Sequence, residues 1–116
     1  MRIRIVAPST PILPEAAERV SAVASRGFPG VELVFHPQCF LSHRHFAGDE
    51  TVRAGAFLEV ANDDGFDALW FARGGYGSCR IAEEVLARLG PAARRKAYLG
   101  YSDAGYMLAA LYRAGF

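Results

Sequence analysis

The chain has 116 residues, 52% of them hydrophobic and 22% charged, with a formal net charge of +1. That is the composition of one globular domain with a buried core. It gives no electrostatic case for binding nucleic acid or an anionic membrane, and no stretch approaches the roughly 18 apolar residues of a spanning helix.

The first element is the β-rich run "RIRIVA" (2–7), followed by the turn "PSTPILP". A helix is predicted from Pro14, with Ala16, Val20, Val23 and Ala24 on one face and Gly27 and Pro29 ending it. "VELVF" (31–35) reads as the second strand, and "HPQCFLSHRHFAG" (36–48), which has no clean period, as a long surface loop. Asp49 is placed to cap a helix over 50–62, with Val52, Ala56, Phe57 and Val60 facing inward. "ALWFA" (68–72) is a continuous apolar strand, the pattern of a strand covered on both faces. "RGGYG" (73–77) leads into a helix predicted from Ser78 to Leu89, with Ile81, Val85 and Leu89 on its stripe and Gly90-Pro91 as its stop. "KAYLG" (96–100) is the fourth strand, and a last helix runs from about Asp103 to Arg113.

Strands alternating with helices imply parallel βαβ units joined by right-handed crossovers. The expected fold is α/β, a three-layer sandwich with a parallel sheet of flavodoxin-like or class I glutamine-amidotransferase-like type. Its four βα units would have strand order 2-1-3-4. Such sheets usually continue with a further strand, so the chain is expected to be one domain of a longer protein. The short apolar run at the N-terminus is no export signal, and a soluble, cytoplasmic protein is expected. Cys39 and Cys79 match no metal or redox spacing and read as reduced thiols.

In open parallel sheets ligands gather in the loops after the carboxyl ends of the strands. Two such loops carry chemistry. "GYSDA" (100–104) is close to the G-x-S-x-G nucleophile elbow, which needs small residues two before and two after the serine. Gly100 and Ala104 meet that need. Ser102 would project its hydroxyl from a strained turn, and the Asp103 N–H at the helix start could donate to an oxyanion. The competing reading is that Ser102 or Asp103 simply caps the helix.

"RGGYGSCR" (73–80) has adjacent glycines that admit positive φ and bare backbone amides. It lacks the P-loop ending and the dinucleotide spacing, leaving a tight turn or a small anion site. If its strand neighbours that of Ser102, Gly74 or Gly75 could supply a second oxyanion donor. Arg73, Tyr76 and Ser9, in the loops around the serine, are expected to contact substrate.

His36, His43 and His45 all follow the second strand and no carboxylate or cysteine set completes a metal site, so they read as solvated. In order 2-1-3-4 the second and fourth strands are roughly 14 Å apart. A general base must come within roughly 3 Å of the serine hydroxyl. The chain therefore offers a nucleophile and oxyanion donors without a base.

"VAPSTP", "HFAGDETVRAGAFLEVANDDGFDALWFARGGYGSCR", "ARGGYG" and "YLGYSD" together resemble the N-terminal domain of the LD-carboxypeptidase family. These serine peptidases include murein tetrapeptide carboxypeptidases and microcin C self-immunity peptidases. The resemblance covers essentially the whole chain. It implies a Ser–His–Glu hydrolase with Ser102 as nucleophile, and an oxyanion hole from the amide of Asp103 and one from the Gly74-Gly75 turn. Residues 1–116 would be the nucleophile-bearing domain, and the histidine and glutamate would come from a C-terminal domain absent from this chain. The implied substrate is a muropeptide or related small peptide, cleaved at the L,D bond to terminal D-alanine during cell-wall recycling. No cofactor, metal, nucleic acid or membrane is implied, and homodimers are. "SDAGY" differs from the family's usual Ser-Asp-[Ile/Leu]-Thr at Ala104 and Gly105.

Two other readings stand beside this one. A hydrolase of acyl-adenylates, of microcin C type, would share the serine and differ in its pocket. A non-catalytic, flavodoxin-like module would bind a small anion on the "RGGYG" amides.

Overall fold

Four short strands, β1 (Arg2–Val6), β2 (Glu32–Phe35), β3 (Ala68–Phe71) and β4 (Ala97–Leu99), form one all-parallel sheet in the order β2-β1-β3-β4. The computed structural model describes residues 1–116. The order is the expected one. It puts β3 beside β4, so the loops after them are neighbours.

Alternation along each strand sends side chains to two faces. On one face Val6, Leu69 and Phe71 meet α2 (Glu50–Ala61), α3 (Ala82–Ala87) and α4 (Ala104–Arg113) in a core of 14 buried residues. Phe57 lies at its centre, 5.6 Å from the Phe71 ring and stacked on Tyr98 at 6.3 Å. Burying one such ring contributes about 1.5–3 kcal/mol.

The other face carries only α1 (Pro14–Gly27) and the segment after β2. Pro14 opens α1 as the sequence predicts, but its apolar face is not sealed. Val20 is 36% and Val23 57% exposed. With Phe28 they form one wall of an open groove of about 510 Å³, whose floor is Ile3, Leu33 and Trp70. Trp70 is accordingly only half-buried, and β3 is not fully covered on both faces.

Three further expectations need correction. Residues 36–48 are not a surface loop throughout. They contain a 3-10 turn, Pro37–Phe40, and bury Gln38, Cys39, Phe46 and Ala47. The Gln38 carboxamide pins this segment by accepting from Ala7 N–H and donating to the carbonyls of Ala7 and Ala47. Helix α2 keeps the predicted inward face at Ala56, Phe57 and Val60 and departs from it only in its first turn. Asp49 caps it through Val52 N–H at 2.9 Å, but Val52 faces outward and Arg53 inward. The predicted 78–89 helix divides into a 3-10 turn, Ser78–Arg80, and the short α3, because Ser78 is held by Asp103 and cannot join a regular helix.

Candidate active site

The loops after β1, β3 and β4 converge at the carboxyl end of the sheet, around Ser102. Its φ is +59°, the left-handed region that costs a residue with a β-carbon roughly 1–2 kcal/mol. The turn has no slack to relax. A β-carbon on Gly100 would lie 2.5 Å from Phe71 and 2.8 Å from the Ala104 methyl. The small residues at both flanks are therefore needed for strand and helix to meet. Gly105 is different. A β-carbon there would meet nothing within 4 Å, so the absence of threonine leaves open space and does not disturb the turn.

Neither Ser102 nor Asp103 caps α4 with its side chain. The Ser102 carbonyl accepts from Gly105 N–H at 2.9 Å, while its exposed hydroxyl is left to solvent. Asp103 makes no capping bond because its carboxylate turns inward. One carboxylate oxygen accepts from the Ser9 hydroxyl and, at 2.9 Å, from Ser78 N–H. The Ser78 hydroxyl in turn donates to the Asp103 carbonyl at 2.6 Å. Burial pushes the Asp103 carboxyl up, but the bonds from Ser9 and Ser78 outweigh it and hold the group below the usual carboxylate range.

Gly74 and Gly75 come against this turn. A β-carbon on Gly74 would stand 2.7 Å from Cβ and 2.9 Å from Oγ of Ser102, and 3.4 Å from the Asp103 nitrogen. The Gly74 carbonyl accepts from the Thr10 hydroxyl at 2.7 Å. In a planar trans peptide this directs the Gly75 N–H the opposite way. Gly75 itself has φ +108°. Neither the Gly75 nor the Asp103 backbone N–H has an acceptor within the chain.

The other predicted site residues are distributed unevenly. Arg73 and Tyr76 are exposed on the same loop, with the Tyr76 ring 6.2 Å from those of His45 and Phe46. Ser9, expected to contact substrate, is completely buried and serves Asp103 instead. His36 is occupied: its Nδ1 accepts from Gln38 N–H and its Nε2 lies 3.3 Å from Glu59. His45 packs on Phe46 at 3.8 Å. No group of three histidines, cysteines or carboxylates comes together as a metal site, and no helix is long and apolar enough to cross a membrane.

Sequence reasoning missed Thr10, Ser78 and Arg53. The first two carry no local signal, since their roles arise only when loops from different strands meet. Arg53 does carry one: it shares a helical stripe with Phe57 and Val60, where a charged residue is out of place.

Residues 3–116 match the family model described as "LD-carboxypeptidase N-terminal domain". The chain belongs to this family. Among curated relatives, a Rickettsia conorii protein named a "putative carboxypeptidase" is 29% identical over 103 residues, covering 87% of this chain and 31% of its own. One of the same name from Streptomyces coelicolor is 33% identical over 109 residues, covering 88% and 33%. Among solved structures, MccF in complex with glutamyl sulfamoyl guanosine superposes with a TM-score of 0.78 at 23% identity. That match covers 98% of this chain and 34% of the other. The muramoyltetrapeptide carboxypeptidase of Oxalobacter formigenes gives 0.68 at 23% identity, covering 90% and 34%. The chain thus shares its fold with these structures over nearly its whole length, and it spans about a third of the length of these relatives.

Proposed function

We propose that this LD-carboxypeptidase domain supplies the nucleophile and oxyanion hole of a serine carboxypeptidase. The observation that carries the reading is Ser102 itself. It is an exposed hydroxyl on a left-handed turn, beside two backbone N–H groups, of Asp103 and Gly75, that have no acceptor in the chain. A helix cap needs neither the strain nor the idle donors.

In the reaction Ser102 Oγ attacks the amide carbon and gives its proton to a base, which passes it to the departing amine. The Asp103 and Gly75 N–H groups receive the charge that develops on the carbonyl oxygen, the step where preorganised donors matter most. Water then releases the acid and frees Ser102. The base and its orienting carboxylate are proposed to be a histidine and a glutamate outside residues 1–116, since all three histidines of the chain follow β2, at the opposite edge of the sheet from β4 and Ser102. The proposed substrate is a muropeptide with an L,D bond to terminal D-alanine, met in the cytoplasm, with Arg73 and Tyr76 at the entrance.

The test is hydrolysis of an L,D-tetrapeptide by the full-length protein and its Ser102→Ala variant. Loss of a triad member costs several orders of magnitude, and undiminished turnover by Ser102→Ala would exclude the nucleophile. Residues 1–116 alone are expected to be nearly inactive, and robust hydrolysis by them would place the base within the chain. Preference for an acyl-adenylate analogue over the tetrapeptide, with the same dependence on Ser102, would replace the substrate and keep the chemistry.

A further inference from the structure

The peptide unit joining Gly77 to Ser78 lies between two buried charges. Its carbonyl accepts from Arg53 Nη1 at 2.9 Å, and its N–H donates to the Asp103 carboxylate at 2.9 Å. The Pro8–Ser9 segment is gripped the same way. The Pro8 carbonyl accepts from the same Nη1 at 2.7 Å, and the Ser9 hydroxyl donates to the same carboxylate oxygen. Arg53 Nε adds a bond to the Gly48 carbonyl at 3.1 Å.

Arg53 is 1% exposed. Its guanidinium carbon sits 4.5 Å from the centre of the Phe46 ring, and its Nη2 is buried without a partner. A buried guanidinium with no carboxylate in contact is expensive, and an apolar side chain would fill the inner face of α2 at lower cost. The compensation is indirect. Arg53 meets the oxygen end and Asp103 the N–H end of one peptide dipole, so the amide links cation to anion and both hydrogen bonds are strengthened by polarisation. The result is an ion pair with a peptide unit inserted in it.

We propose that Arg53 is a positioning residue that acts through the Gly77–Ser78 peptide and the Pro8–Ser9 segment to anchor Asp103, and thereby aims the Asp103 N–H beside Ser102. The proposal rests on the reading of Ser102 as nucleophile and adds the device that aligns its oxyanion donor. Arg53 touches no reacting atom, for its guanidinium is enclosed by carbonyls and an aromatic ring.

The experiment compares full-length wild type, Arg53→Met, Arg53→Lys and Ser102→Ala. It follows phosphonylation of Ser102 by a fluorophosphonate, kcat and KM on an L,D-tetrapeptide, and the Ser78 amide proton by NMR. Arg53→Met is expected to slow phosphonylation and lower kcat at least about ten-fold. KM should stay within about two-fold, and the Ser78 amide should move upfield as its bond to Asp103 weakens. Arg53→Lys should recover part of both, because it keeps the charge but not the fork. A folded Arg53→Met protein with wild-type phosphonylation and an unmoved Ser78 amide overturns the proposal. Should Arg53→Met not fold, wild-type hydrogen exchange decides: Ser78 amide and Arg53 Nη protons that exchange as fast as exposed loop amides overturn it. A wild-type protein whose Ser102 is neither labelled nor needed for hydrolysis overturns the nucleophile reading instead, and the Ser78 amide still decides the clamp.

Discussion

Gly74 passes so close to Ser102 that a β-carbon on it would lie 2.7 Å from the serine's own. Contact at that distance cannot be absorbed by a flexible side-chain end, because the neighbour is the root of the side chain on a strained turn. Gly74→Ala is therefore expected to displace Ser102 and the Asp103 amide together. A displacement of this order costs about 100-fold in turnover, with an overpacking cost of about 1–3 kcal/mol in stability. Steady-state kinetics and thermal melting check both. Gly55→Ala is the control: a β-carbon there meets nothing within 4 Å, and in a helix it should stabilise by about 0.5–1 kcal/mol.

The left-handed turn separates two variants, both expected to be inactive, that would otherwise look alike. Ser102→Ala keeps a β-carbon at φ +59° and retains the strain. Ser102→Gly removes it, at the cost of a more flexible unfolded chain. Ser102→Gly should melt higher than Ser102→Ala, by a difference of about 1 kcal/mol or less. A Ser102→Gly protein that melts below Ser102→Ala would mean that the turn is not strained, since only the flexibility cost would then remain.

Asp103 sets an acid limit on stability. Its folded carboxyl titrates below the usual range because Ser9 and Ser78 donate to the charged form. The contribution is fully present above the unfolded value near 3.9 and is lost as pH falls through the lower folded value. Asp103→Asn should cost about 2 kcal/mol at pH 7, the scale of a hydrogen bond to a charged group. The gap to wild type should close as the pH drops below about 4. Urea titrations at several pH values measure it, and a gap independent of pH would mean the charge is not involved.

The two thiols should part company under alkylation. Cys39 is completely buried, donates to the Ile5 carbonyl, and is pushed up to about 12 by burial. Cys79 is exposed. Because only the thiolate reacts, iodoacetamide at pH 8 should modify Cys79 and spare Cys39 in the native protein. Peptide mass spectrometry reads the outcome directly.

The strand order, the β3–β4 adjacency and the small flanks of Ser102 were legible because each follows from a local rule: apolar runs, right-handed crossovers, the space a sharp turn needs. The inward turn of Arg53 leaves a trace, a charge on the stripe of Phe57 and Val60, but its role does not, since the carbonyls that solvate this guanidinium come from Pro8, Gly48 and Gly77 and only the fold brings them to it. Ser9 was misread for the same reason. Its sequence places it in the right loop, but only the fold brings Asp103 to it. The exposed side of α1 was illegible in a third way. Its apolar face is real, but periodicity does not say whether another layer covers it.

The Ser9–Asp103 hydrogen bond joins residues 94 positions apart. Closing a loop of that length costs about 4 kcal/mol in chain entropy, and contacts of such separation are the slow ones in folding. No partly folded intermediate that keeps the two ends of the chain apart can hold Asp103 in place. The Ser102 turn is thus expected to be among the last features to be assembled, and its anchor is lost when either end of the domain lets go.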